Sequence, residues 1–150
     1  MADPAETGPR AKPSPQVGAL PLRRDRRGAL EVLLVTSRDT GRWIIPKGWP
    51  MAGKTKARAA AREALEEAGV TGQLVKPALG HFDYEKFMPE GPPIPCRVTV
   101  FALWVDKVHE SWEEAEERRR HWWRLRDAVA LVEEEALREI ILRLETETPP

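Results

Sequence analysis

The stretch from Gly48 to Val70 (GWPMAGKTKARAAAREALEEAGV) is the part of this sequence that most constrains its fold. Within it, Glu63, Glu66 and Glu67 stand at positions i, i+3 and i+4, which an α-helix places on one face within a turn of each other. Like charges at this spacing destabilise a helix unless something positive lies between them. A divalent cation meets that need, so the stretch predicts a helix that carries a metal site.

The same stretch resembles the Nudix box, whose pattern is G-x5-E-x7-R-E-U-x-E-E-x-G-U, with U an aliphatic residue. The residues that match the pattern at the required spacing are Gly48, Arg62, Glu63, Glu66, Glu67, Gly69 and Val70, with Ala64 at the first U. Lys54 stands where the pattern has its first Glu. That position lies in the loop before the helix, whereas the metal-binding glutamates of the family lie on the helix, so we expect metal binding to survive the change.

One domain is expected from 150 residues, of which 41% are hydrophobic and 32% charged, as in ordinary soluble globular proteins. Strands interleave with one central and one terminal helix, so the fold class is predicted to be α/β, with a mixed β-sheet between helices. The resemblance implies the Nudix-type α/β/α sandwich. Residues 1–16 are expected to form a flexible N-terminal leader, residues 17–146 a single Nudix hydrolase domain, and residues 147–150 a frayed C-terminus.

Runs of β-branched and aliphatic residues predict the strands. Residues 17–22 are predicted to form a short strand that Pro21 pushes to an edge or ends early, and residues 30–36 a central strand. Residues 79–84 and 97–107 are predicted to pair, with the proline-rich loop 85–95 at the tip of their hairpin. Further short strands are expected at 43–46, directly before a loop at 47–50, and at 122–125.

The central helix is predicted to begin after an N-cap at Thr55 and to end at Ala68, with Gly69 as its stop. Its buried stripe is expected to contain small residues that let it lie close against the sheet: Ala57, Ala61, Ala64, Leu65 and Ala68. A turn capped by Asp127 is expected to precede a closing helix at 133–145.

The resemblance implies roles for the acids of the box. Glu63, Glu66 and Glu67 are expected to bind Mg²⁺ or Mn²⁺, because carboxylates suit hard cations that keep several waters and also bind substrate phosphates. Arg62 belongs to the same catalytic group and is expected to hold a carboxylate by a charge-assisted hydrogen bond. The general base would be a box glutamate or one of the acids of a later loop, among which the sequence does not choose: Glu113, Glu114, Glu116 and Glu117.

Substrate-binding residues are expected on both sides of the box. Gly48 would let the backbone approach a ligand, and the nearby bases are predicted to contact phosphates: Lys47, Lys54, Lys56 and Arg58. The segments RWIIPKGW (42–49) and RRRHWW (118–123) look like the diphosphoinositol polyphosphate phosphohydrolase branch of the family. By that likeness, phosphate contacts are also expected from Arg118, Arg119 and Arg120. Tryptophans such as Trp43 and Trp49 are more often packing residues than base-stacking platforms, and we interpret Trp43 as a packing residue.

The formal net charge of zero gives no global field that favours nucleic acid or a membrane as a partner. The arginines of the segment 23–27 either are solvated or meet a polyanion, and the sequence leaves both interpretations open.

Cys96 is the single cysteine, which excludes an intrachain disulfide and leads us to expect a cytoplasmic protein. No apolar run approaches the roughly 18 residues of a membrane span. The isolated His81, His109 and His121 are interpreted as surface or packing residues.

Three functional classes follow from the sequence. The first is Mg²⁺-dependent hydrolysis of a phosphoanhydride bond in a small-molecule polyphosphate. The resemblance to the branch implies that this substrate is a dinucleoside polyphosphate or a diphosphoinositol polyphosphate. The second is an RNA 5′-end pyrophosphohydrolase, a less favoured interpretation that requires a continuous basic surface. The third is a non-catalytic Nudix-fold nucleotide-binding regulator, for which the departure at Lys54 is the support. The oligomeric state stays open.

Overall fold

An eight-stranded mixed sheet runs through the computed structural model, which describes residues 12–150. The strands are β1 (Ser14–Arg24), β2 (Leu30–Thr36), β3 (Trp43–Ile44), β4 (Lys47–Gly48), β5 (Val70–Leu74), β6 (Gly80–Lys86), β7 (Ile94–Val108) and β8 (Arg120–Arg124). The helices are α1 (Lys56–Glu63), which continues into a π-helical turn (Ala64–Ala68), then α2 (Leu125–Leu131) and α3 (Glu135–Arg143).

The centre of the sheet is a parallel pair. Strands β1 and β7 run side by side from Ser14 opposite Cys96 to Leu22 opposite Trp104. The other pairings are antiparallel, among them the predicted hairpin, in which His81 of β6 faces Thr99 of β7. The mixed sheet and its longest strand are therefore confirmed.

The sheet separates two hydrophobic cores. On one face, α1 and the π-helical turn pack their alanines against residues such as Leu33 and Leu103. On the other face, Leu137 and Ile141 of α3 pack with α2 against the opposite side of the same strands. Helices on both faces of a mixed sheet make the α/β/α sandwich, so the predicted fold class is confirmed. None of the helices within residues 12–150 is long and apolar enough to cross a lipid bilayer.

Strand β1 differs from its prediction as a short edge strand beginning at residue 17. It begins at Ser14, inside the predicted leader, and lies between other strands rather than at an edge; the rest of that leader, residues 1–11, lies outside the described chain. Pro21 does not end the strand, because it stands where β1 changes partner on one side, from β4 at residues 17–18 to β2 at residues 22–24. The ladder has no continuous set of hydrogen bonds there for proline to interrupt.

The ends of α1 are as the sequence predicts. The Oγ1 atom of Thr55 accepts a hydrogen bond from the backbone N–H of Arg58 at 3.2 Å, and Gly69 ends the helical segment in the left-handed conformation with φ of 66°. The buried stripe is different, since Ala61 and Leu65 are only half-buried. Its buried alanines are Ala57, Ala59, Ala60, Ala64 and Ala68.

Three further segments differ from their predictions. Lys47 and Gly48, predicted as loop, pair with β1 as β4. Asp127 does not cap a turn but lies in the first turn of α2, a helix that the sequence did not reveal; there its charge complements the helix dipole. Residues 147–150, predicted to fray, are held by side chains, since Trp104 Nε1 donates to the carbonyl oxygen of Pro150 at 2.9 Å.

Candidate active site

A cleft of about 260 Å³ lies where β4, the helical segment of the box, the end of β6 and the loop before β8 meet. Its acidic side chains are Asp39, Glu63, Glu67 and Glu114, and its basic ones are Arg38, Lys47, Lys86 and Arg118. A larger cavity, of about 510 Å³, lies between the β1–β2 turn and the end of α3 and contains no residue of the box. We place the candidate active site in the smaller cleft because the buried carboxylates of the box open into it.

Glu67 is fixed at the bottom of the cleft by two contacts. Its Oε1 atom accepts a hydrogen bond from the backbone N–H of Lys47 at 3.1 Å, and its Oε2 atom lies 3.3 Å from a terminal nitrogen of Arg118. Only 7% of the residue is exposed. Burial raises the pKa of this carboxyl, while Arg118 and the Lys47 N–H act in the opposite direction.

Glu63 lies one helical turn before Glu67 and packs against the backbone of Gly48. Burial raises the pKa of Glu63 to about 8, and repulsion from Glu67, Glu66 and Glu114 adds to the shift, with Arg118 opposing it. At Glu63, burial and repulsion from the neighbouring acids thus outweigh the attraction of Arg118.

Glu66 occupies a different position from the other two acids of the box. It accepts a hydrogen bond from Nε of Arg62 at 2.9 Å, which is the carboxylate contact expected of that arginine. Its side chain is not part of the cleft wall. The structure thus brings Glu63 and Glu67 together in the cleft and leaves Glu66 beside it, paired at the surface.

Arg118 is a buried residue whose guanidinium is not available to bind substrate. It is 8% exposed, and its guanidinium donates to Glu114 Oε1 at 2.8 Å and to the carbonyl oxygen of Thr36 at 3.0 Å. Together with the Glu67 contact, these partners occupy all three of its nitrogens. The expected phosphate contact is corrected to a structural one, in which Arg118 joins two carboxylates of the cleft.

The other two arginines of the run, unlike Arg118, do not line the cleft. Arg120 donates to the carbonyl oxygens of Ala68 at 2.9 Å and His109 at 2.6 Å, and its guanidinium lies 3.8 Å from the centre of the Trp112 ring. Arg119 is exposed, and its guanidinium lies 5.6 Å from the centre of the Trp43 ring. Arg119 and Arg120 point in different directions because successive side chains of an extended chain lie on opposite faces of a sheet.

Of the bases next to the box, Lys47 reaches the cleft. Its ammonium nitrogen lies 4.9 Å from the centre of the Tyr84 ring, and burial lowers the pKa of Lys47 to about 8, although Glu67 acts against the shift. The other three bases are exposed and do not line the cleft, so their phosphate contacts stay predictions: Lys54, Lys56 and Arg58.

Sequence reasoning missed six polar residues of the cleft wall: Gln16, Ser37, Arg38, Asp39, Tyr84 and Lys86. Arg38 follows the end of β2 and Lys86 ends β6, while Gln16 in β1 accepts a hydrogen bond from the Tyr84 hydroxyl at 2.6 Å. The available signal was that Arg38 and Lys86 stand at strand ends. Charged residues at such positions converge when their strand ends meet at one edge of a sheet.

The late acidic loop contributes one residue to the cleft. Of the four predicted candidates, Glu114 lines the wall, whereas Glu113 and Glu116 are exposed and Glu117 pairs with Arg38 at 3.3 Å. The loop is tied to the helical segment, since the backbone N–H of Glu114 donates to the carbonyl oxygen of Glu66 at 3.1 Å. The structure therefore selects Glu114 where the sequence left four acids open.

The donor set of the cleft fits a hard divalent cation. No three acidic, histidine or cysteine side chains within residues 12–150 form a group that would hold a metal by itself. Mg²⁺ typically binds one or two protein carboxylates and fills its shell with water and substrate phosphate. Glu63 and Glu67, two buried carboxylates of one cleft, provide such a partial site.

Gly48 is expected to tolerate no side chain while Glu63 is present. A β-carbon at position 48 would collide with the Glu63 carboxylate, so Gly48→Ala should destabilise the fold by about 1–3 kcal/mol, as overpacking does. In a Glu63→Ala background the same change should be nearly neutral, because the colliding atoms are gone. Urea denaturation of the four proteins measures both costs; an equal cost in both backgrounds would refute the contact.

Comparison with known proteins gives consistent results. A protein-family model described as the NUDIX domain matches residues 12–144. Nudix hydrolase 21, chloroplastic, of Arabidopsis thaliana is 34% identical over 132 residues, which are 83% of this chain and 63% of that protein. Diphosphoinositol polyphosphate phosphohydrolase 3-beta of Homo sapiens is 36% identical over 106 residues, or 69% and 60% of the two chains. The chain thus spans about three-fifths of the length of these curated relatives.

Solved structures share the fold. The Ap4A hydrolase of C. elegans in a binary complex has a TM-score of 0.64 at 23% identity, covering 88% of this chain and 95% of its own. The NUDIX domain of Shewanella oneidensis NrtR, complexed with ADP ribose, has a TM-score of 0.66 at 17% identity, with coverages of 97% and 94%. At these identities the likeness concerns the fold alone.

Proposed function

The chain belongs to the Nudix family, and from this premise we propose that it is a hydrolase that cleaves a phosphoanhydride bond of a small-molecule polyphosphate with Mg²⁺ or Mn²⁺. The observation that carries the proposal is the burial of Glu63 and Glu67 in a cleft whose other side chains include Lys47, Lys86 and Arg38. Carboxylates for a cation and bases for phosphates are thus present in one cleft.

In this proposal, the acidic residues of the cleft bind the cation and the basic residues bind the substrate. Glu67 and Glu63 would hold the cation. Glu66, the third acid of the box, lies beside the cleft and is paired with Arg62. The cation supplies neutralisation of the phosphate charge and orientation of the attacking water. Lys47, Lys86 and Arg38 bind the phosphate oxygens and hold the polyphosphate of the substrate in position for in-line attack by water.

Glu114 is the acid that we assign as general base. Its Oε1 atom faces Arg118 at 2.8 Å and Arg38 at 3.7 Å, so its position in the cleft is fixed by two cations. Within residues 12–150, the side chain of Glu114 makes its contacts through Oε1, which leaves Oε2 to accept the proton of the attacking water.

Glu114→Gln is expected to lower kcat by about 10²- to 10⁴-fold, the usual contribution of a general base, with little change in KM. The matched control is Glu116→Gln, which removes an exposed acid of the same loop and should leave both constants unchanged. Steady-state kinetics on the best substrate measure the effect. A kcat for Glu114→Gln near that of the control would assign the proton transfer to another residue.

We propose dinucleoside polyphosphates and diphosphoinositol polyphosphates as the substrate classes. The support is the set of relatives named diphosphoinositol polyphosphate phosphohydrolase and the shared fold of an Ap4A hydrolase. The test is a hydrolysis panel with Mg²⁺ that contains diadenosine polyphosphates, an inositol pyrophosphate, ADP-ribose, nucleoside triphosphates and 5′-triphosphate RNA. Turnover confined to the last member would overturn this assignment, and no turnover at all would overturn the hydrolase itself in favour of a regulator that binds without cleaving.

The RNA interpretation loses its main support. It required the arginines of segments 23–27 and 118–120 to form one basic surface, but Arg118 and Arg120 direct their guanidinium groups to internal acceptors. Arg23 pairs with Glu31 at 2.8 Å and lies 4.3 Å from the centre of the Trp122 ring. These contacts engage three of the arginines within the protein, so the continuous basic surface that RNA binding requires is reduced to exposed arginines such as Arg24 and Arg119.

A further inference from the structure

Trp49 is an unusual member of the cleft wall. It is 43% exposed, although most residues around it in the cleft are charged or polar. Among residues 12–150, no other aromatic ring or cationic head group stacks on its indole. The indole of Trp49 is therefore partly open to solvent where it borders the cleft.

The contrast with Trp43 shows that this exposure is particular to position 49. The ring of Trp43 makes an edge contact with Trp123 at 5.2 Å between centres and packs against the core beneath α2 and α3. Trp43 thus behaves as the packing residue that the sequence predicted, whereas Trp49, six residues later, does not.

The backbone that carries Trp49 is held on both sides. The preceding residue, Gly48, pairs with Val17 in β4, and the following residue is Pro50, which restricts the backbone of position 49 to extended conformations. An aromatic ring on a restrained backbone loses little further freedom when a ligand binds, which favours its use in recognition.

The neighbours of Trp49 in the cleft suit the phosphate end of a nucleotide. Lys47 lies two residues before it, and Arg38 and Lys86 lie in the same wall. A planar base attached to a phosphate chain would need an apolar platform within reach of these bases, and a tryptophan ring stacks on any of the nucleobases. An inositol carries no planar ring and would gain nothing comparable.

We propose that Trp49 is a specificity-determining residue, the platform on which the base of a nucleotide-bearing polyphosphate stacks while its phosphates occupy the cleft. This inference rests on the proposed function for the position of the phosphates. It goes beyond that function by ranking the two substrate classes, since a dinucleoside polyphosphate uses the platform and a diphosphoinositol polyphosphate does not.

The test compares ligands that differ by the presence of a base. Calorimetric titration with ADP and with inorganic pyrophosphate, both with Mg²⁺, is made on the unchanged protein and on Trp49→Ala, Trp49→Phe and Phe87→Ala. Phe87 is the matched control, because it is 74% exposed but does not line the cleft. Trp49→Ala is expected to raise the Kd for ADP roughly ten- to a hundredfold, the usual range for one stacked base, and to leave that for pyrophosphate unchanged.

Trp49→Phe should retain most of the ADP affinity, because it keeps an aromatic face, and Phe87→Ala should behave as the unchanged protein. In the hydrolysis panel, Trp49→Ala should raise KM for diadenosine tetraphosphate and not for the inositol pyrophosphate, with kcat little changed. An equal loss for ADP and pyrophosphate, or no loss for either, would overturn the platform. Because titration needs no turnover, this outcome is distinguishable from failure of the proposed hydrolysis.

Discussion

Glu67→Gln is expected to reduce kcat by at least about 100- to 1,000-fold, the range seen when one preorganised electrostatic partner is removed from an active site. Glu67 is the most constrained acid of the cleft, with the Lys47 N–H on one oxygen at 3.1 Å and Arg118 near the other at 3.3 Å. Glutamine keeps its size and can still accept from Lys47, but it removes the negative charge that the cation requires.

The measurement is hydrolysis of the best member of the substrate panel over a range of Mg²⁺ concentrations, with thermal unfolding as a check on the fold. Direct Mg²⁺ or Mn²⁺ titration should show weaker binding to the variant. The control is Glu113→Gln, an exposed acid of the late loop for which no change is expected. A Glu67→Gln protein with the original kcat and the original metal affinity would place the chemistry outside the box helix.

Arg118→Leu is expected to lower the free energy of unfolding by about 3–5 kcal/mol, as the loss of one partner of a buried ion pair does. Leucine keeps much of the volume, but it leaves Glu67 and Glu114 without their shared cation and the carbonyl oxygen of Thr36 without its donor. For a domain of this size the midpoint of thermal unfolding should fall by roughly 6–20 °C.

Two comparisons make this prediction specific. Arg119→Leu changes the neighbouring, exposed arginine and should alter stability by less than about 1 kcal/mol. The triple variant Arg118→Leu, Glu67→Gln, Glu114→Gln should recover part of the loss, because the carboxylates left unpaired by the single change are then neutral. A triple variant that is as unstable as the single one would mean that Arg118 acts through packing alone.

The elements that the sequence predicted well are governed by neighbours in the chain. Strand β2 occupies the predicted residues 30–36, because a short β-branched and aliphatic run suits a central strand whatever its partners. The Thr55 cap and the Gly69 stop are equally local, since each depends on a few adjacent backbone groups. The box acids could be selected for the same reason, as their spacing along a helix is fixed by the sequence.

The elements that the sequence misplaced depend on distant partners. Pro21 was expected to limit its strand, but the change of partner from β4 to β2 lets β1 continue through it. Helix α2 was missed because its seven residues contribute few buried side chains of their own, and short helices are stabilised mainly by tertiary packing.

For this protein, the sequence alone determined the family resemblance and the acids of the box, because these follow from spacing along one short stretch. It also determined the α/β class, because that follows from the order of strand and helix patterns along the chain. The tertiary structure decided which of those acids face the cleft, the choice of Glu114 from its loop, and the exposure of Trp49. It also turned Arg118 and Arg120 inward. The physical reason is that a charged or aromatic side chain takes its role from what packs against it, and decisive partners, such as Thr36 and Glu67 for Arg118, lie tens of residues away in the chain.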